Sequence, residues 1–73
     1  MFVSYKDRLV NLDRIESVSR KDENWLRFLC GSNSLVFVFN KKESVLKAIE
    51  IIKDGLYKDY TIVSLDNIEE SKE

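Results

Sequence analysis

The sequence predicts an α+β domain: an antiparallel β-meander of about five to six short strands packed on one C-terminal amphipathic helix, with coiling into a half-barrel as an option. Three observations predict it. Two β-rich runs, WLRFLC and LVFVF, flank the turn-forming GSNS. From Asn40 onward the apolar period changes from that of a strand to that of a helix. Ahead of both, FVSY and RLVN alternate apolar and polar residues around Lys6 and Asp7.

Taken in order, residues 2–39 read as the sheet. FVSY-KD-RLVNL forms a hairpin whose turn lacks glycine. IESVSR follows as a more polar strand, and KDEN as a loop. A four-residue loop over 31–34 then joins the two richest strands, which sets Cys30 opposite Leu35, Phe28 opposite Phe37 and Leu26 opposite Phe39. Val45, Ala48, Ile49, Ile52 and Leu56, widened by Leu46, stand at helical spacing and predict a helix over 41–55. Asn40 with Glu43 reads as its capping box and Gly55 as its C-terminal stop. YTIVSL predicts a last strand within 60–66, and 67–73 a flexible tail, the whole of 1–73 being one domain.

Nearly the same phrase occurs twice: LVNLDRIE at 9–16 and IVSLDNIE at 62–69. The flanking segments differ entirely, so a duplicated unit is not the explanation. Asp13 and Glu16, like Asp66 and Glu69, have the spacing of an Asp that caps a helical turn and a Glu that answers it. The phrase therefore reads as a strand ending in a capped turn, used twice.

Composition narrows the chemistry. A 73-residue chain with 44% apolar residues can fold, but only around a small core. Its net charge of −1 gives no basic excess for nucleic acid, even with Arg14, Arg20, Lys21 and Arg27 beside the stacking groups Tyr5 and Trp25. There is no histidine, so metal binding and imidazole acid–base catalysis lack their usual residue. No pair of carboxylates converges by spacing, no metal or cofactor is expected, and the chain reads as a non-enzyme. Cys30 is the one cysteine; it ends an apolar strand and is expected to be buried and inert. That cysteine usage, with no apolar run of membrane-spanning length, predicts a cytoplasmic protein without membrane contact.

The sheet is apolar on both faces. One side seats the helix; the other carries Trp25, Arg27, Leu29, Val36 and Val38, where a lone antiparallel sheet normally shows polar residues to water. Either the N-terminal hairpin curls over this second face, with Trp25 inside a half-barrel, or another chain covers it. The latter gives the first functional expectation: a self-associating interaction module that binds a host or regulatory protein through these five residues. The alternative is a binder of a nucleotide-like anion, with Arg27, Lys41 and Lys42 for charge and Trp25 or Tyr5 for stacking.

The run LVNLDRIESVS … WLRFLCGSNSLVFVFNKKESVLKAIEII resembles, over about residues 2–53, the layout of small bacterial and phage proteins in which a meander precedes an amphipathic helix. Flagellar regulators of the FlbD/SwrD type share that order of elements. Their Asn-Gly turns are absent here, and the YTIVSLDNIEE end extends beyond the layout. The resemblance implies the fold, suggests a phage or mobile-element accessory role by analogy, and assigns no functional residue.

Overall fold

The computed structural model describes residues 1–68. Six strands and one helix follow in the order β1 (Phe2–Tyr5), β2 (Arg8–Asn11), a 3₁₀ turn (Leu12–Arg14), β3 (Ser17–Lys21), β4 (Trp25–Cys30), β5 (Asn33–Val38), α1 (Lys42–Tyr57) and β6 (Ile62–Ser64). The α+β class stands, but the strands do not form one sheet. They form two of three strands each, ordered β2–β1–β6 and β3–β4–β5.

The first sheet is built around β1. Val3 pairs with Val10 of antiparallel β2 and with Val63 of parallel β6, and all three side chains are buried. The repeated phrase thus supplies both neighbours of β1. Within each copy, after the strand, the chain makes the same turn: Ile15 N–H donates to the Leu12 carbonyl (3.1 Å), and Ile68 N–H to that of Leu65 (3.5 Å). The cap is not the expected Asp. Asn11 Oδ1 accepts from Asp13 N–H (3.0 Å), and Ser64 Oγ from Asp66 N–H (3.2 Å), two positions earlier in each copy. The Asp side chains serve other ends. Asp13 faces the N-terminal ammonium (3.5 Å), and the Asp66 carboxylate accepts the backbone N–H of Lys6. Lys6 has φ +54° in the two-residue β1–β2 turn, a conformation that costs a non-glycine residue about 1–2 kcal/mol, and Asp66 holds it there.

The second sheet is an antiparallel meander. Its β4–β5 loop has two residues, Gly31 (φ +61°) and Ser32, instead of four. Phe28 consequently pairs with Leu35 and Leu26 with Phe37, while Cys30 pairs with Asn33. The register shift is two residues, so every side chain keeps its expected face. Cys30 is exposed, not buried, because the tighter loop puts it at the hairpin tip.

The two sheets meet on the inner face of β5. Tyr5 stacks on Phe39 (ring centroids 4.6 Å apart) and lies 5.1 Å from Phe37. Val45, Ala48 and Ile52 of α1 close the same core, which also holds Leu26, Phe28 and Val3. The hairpin therefore packs beside the helix and does not curl over the Trp25 face: no half-barrel closes around Trp25. β6 lies within the predicted window but is parallel to β1. Ile68, assigned to the tail, is buried on the core; the rest of that tail, 69–73, lies outside the described residues.

Both helix ends differ from expectation. The N-cap is Lys41, extended (φ −136°, ψ 155°) and without a side-chain cap hydrogen bond. Gly55 lies inside the helix, which runs on to Tyr57. Its role is closeness: a Cβ there would sit 2.7 Å from Val63 Cγ1 and 3.2 Å from Met1 Sδ. Gly55 lets the helix pass β6.

Gly55→Ala gains about 1 kcal/mol of helix propensity but meets a stiff, buried valine. Overpacking costs about 1–3 kcal/mol, so urea unfolding should show a net loss, and Val63→Ala should lose less stability in the Gly55→Ala background than alone. An unchanged midpoint for Gly55→Ala would mean that β6 and the helix can separate freely. Lys41→Ser supplies the missing cap at a backbone already in cap geometry and should stabilise by about 1 kcal/mol, a rise of about 4–8 °C in Tm by calorimetry.

Candidate functional site

The β3–β4–β5 register arranges the outer face of that sheet as three rows. Lys21, Trp25 and Val38 form the first, Ser19, Arg27 and Val36 the second, Ser17, Leu29 and Ser34 the third. All five residues expected on this face are there. Trp25, Arg27, Leu29 and Val36 are half-buried by one another, and Val38 is 51% exposed. Lys21 Nζ stands 5.7 Å from the centre of the Trp25 ring, a cation–π contact that orients the indole.

Arg27 occupies the middle of the grid. Its Nε is shut away from solvent and has no acceptor among the described residues. Neither Arg27 nor Lys21 has a carboxylate partner among those residues. At the β5 border, Arg8 Nη1 donates to the Val36 carbonyl (3.4 Å) and Tyr5 Oη to the Val38 carbonyl (3.3 Å). These side chains occupy outward-pointing carbonyls of β5 and blunt that sheet edge against strand addition. Beside them lies an open cleft of about 380 Å³, lined by Lys6, Asp7 and Arg8 against β5.

The residues proposed for an anion do not converge. Arg27 is on the outer face, whereas α1, with Lys41 and Lys42 at its start, packs on the inner face through Val45 and Ala48. Lys41 instead lines a small cleft with Glu43, Ser44, Lys47 and Ile68. Tyr5 is 7% exposed and stacked in the core, so its ring offers no free face. Among the described residues no group of three or more Cys, Asp or Glu side chains is placed to hold a metal ion, and no helix is long and apolar enough to cross a membrane.

Two surfaces escaped the sequence reading. The outer face of the first sheet carries Phe2, Ser4, Leu9, Asn11, Ile62 and Ser64, uncharged throughout, with Leu9 61% and Ile62 53% exposed. The alternation in FVSY and RLVN signals part of it, but Ile62 joins only through a parallel pairing 60 residues away in sequence. The second is a groove of about 320 Å³ where Leu12, Ile15 and Val18 face Ile49, Ile52 and Leu56. On the opposite flank of α1, Ile68 of the second copy faces Ile51 and Lys47. The two copies of the phrase thus hold the helix from either side.

Comparison with protein families, with curated proteins and with solved structures found no match to this chain.

The exposure of Cys30 is directly measurable. A thiol reagent should modify it in the native protein at nearly the rate seen in denaturant; strong native protection would put Cys30 back in the core.

Proposed function

We propose that this chain is a non-enzymatic protein-interaction module that binds a host or regulatory protein through the Trp25 face and also self-associates. The observation that supports the docking surface most is Arg27: a guanidinium in the centre of the face, between Trp25, Leu29 and Val36 and opposite Ser19, with Nε shielded and unpartnered among the described residues. A group left so is costly unless a partner supplies an acceptor. Around it stand a tryptophan and aliphatic residues, the residue types on which binding energy concentrates. The reading of a nucleotide-like anion loses support, because Arg27 and Lys41 point away from each other across the sheet.

Charge separates the two contacts. The outer face of the first sheet is uncharged, so two copies can pair there without burying like charges, whereas the Trp25 face would bring Arg27 against Arg27. Self-association is accordingly assigned to Phe2, Leu9 and Ile62. The earlier expectation had placed both contacts on the Trp25 face.

Trp25→Ala should keep its native circular dichroism and lose no more than about 1 kcal/mol of stability, the scale of a cross-strand pair. Its affinity for a partner that co-purifies with the wild type should fall by at least ~2 kcal/mol. Outright unfolding would place Trp25 in the core and remove the proposal's main support. In sedimentation equilibrium, Leu9→Lys should shift the mass toward monomer while Trp25→Ala leaves it unchanged; the reverse pattern would make the Trp25 face the self-contact.

A further inference from the structure

Charge also specifies what the Trp25 face can take. Lys21 and Arg27 are the two charged side chains in its three rows and no acid stands among them; at the β5 border Lys6 and Arg8 outnumber Asp7 in the adjoining cleft. This happens in a chain whose net charge is −1. The excess is therefore local to this face. The nearest acids by sequence, Asp22 and Glu23, lie in the β3–β4 loop beyond the end of the grid, and neither pairs with Lys21 or Arg27.

Docking covers this face and withdraws Arg27 further from water. A purely apolar partner would leave its charge buried and unmatched, and a second copy of the same face would double it. A carboxylate relieves the problem, because its two oxygens match the planar fork of a guanidinium. The space on either side of Arg27 is apolar: Trp25 and Leu29 flank it along β4, and Val36 lies across on β5. Ser19, its other cross-strand neighbour, offers a hydroxyl to the same carboxylate.

We propose that the occupant of the Trp25 face is an acidic segment of a different protein, with a carboxylate on the Arg27 guanidinium and apolar side chains beside it packed on Trp25 and on Leu29 with Val36. This rests on the docking reading above and gives that surface a chemical specificity. The contact is charge-assisted and closed over by apolar groups, so affinity falls with added salt but is not abolished. Lys21, held over the indole, favours a second acid toward the first row.

The full chain can be tested with random short peptides displayed on phage, and selected peptides then titrated against the intrinsic fluorescence of Trp25, the chain's one tryptophan. The expected result is enrichment of Asp or Glu between apolar residues, with a blue shift of Trp25 emission on binding. Arg27→Gln should weaken a selected acidic peptide by at least about tenfold, and Glu→Gln in the peptide by a similar factor, with little further loss when both are changed. Arg27→Lys, which keeps the charge and loses the fork, should fall between. Selection of neutral or basic peptides, or equal affinity for Arg27→Gln, overturns the acidic specificity while leaving the docking surface standing. A library that yields no Trp25-dependent peptide overturns both. Circular dichroism of Arg27→Gln and Arg27→Lys separates lost binding from lost fold.

Discussion

The pairing of β1 with β6 is the contact on which the rest of this structure depends. It joins the first strand of the chain to the last, with Val3, Val10 and Val63 side by side and Leu65 N–H bonded to the Ser4 carbonyl at 2.8 Å. Burying an aliphatic side chain of this size contributes about 1.5–3 kcal/mol, and three adjacent ones make a strip that the helix can cover. Gly55 allows that covering, because the helix backbone passes Val63 at a distance no side chain would permit. Asp66 then reaches the N–H of Lys6 and fixes the left-handed turn that aims β2. Closing a loop of nearly the whole chain costs entropy that this buried strip offsets.

With β1 held between both copies of the phrase, the two capped turns fall on opposite flanks of α1. Leu65 and Ile68 are buried, whereas Leu12 and Ile15 remain half-exposed above a groove. The difference arises from direction. β2 runs antiparallel to β1 and β6 parallel to it, so similar local sequences leave the sheet at opposite ends and meet different parts of the helix. The repetition is local chemistry used twice, without a repeated fold behind it.

Placing hairpin, helix and β6 together on one side of the β3–β4–β5 sheet leaves its other side to solvent. The aromatic cluster of Tyr5, Phe37 and Phe39 commits the hairpin to the inner face. Once it is committed there, Trp25 keeps only its own sheet's neighbours, Lys21 over the indole among them, and no carboxylate among the described residues pairs with Arg27. The open face and its unmatched charge follow from how the core was assembled, and the proposed function follows from that face.

Alternation in 25–30 and 33–38 determined which residues share each face of the second sheet, and helical spacing placed Val45, Ala48 and Ile52 in the buried stripe of α1, although Leu46 and Leu56, read as part of that stripe, are exposed. These survived even a two-residue register error, because side-chain direction depends only on parity along a strand. The five residues of the candidate site were legible for the same reason. Local signals misled wherever a distant contact outweighed them. Gly55 looked like a helix end, yet its missing Cβ serves Val63; Cys30 looked buried, yet a tighter turn exposes it. The division into two sheets, the parallel seat of β6, the isolation of Arg27 from Lys41 and the uncharged face of Phe2, Leu9 and Ile62 were decided by tertiary structure alone. Each depends on pairing between residues far apart in the chain, and no local period carries the identity of a strand's distant neighbour.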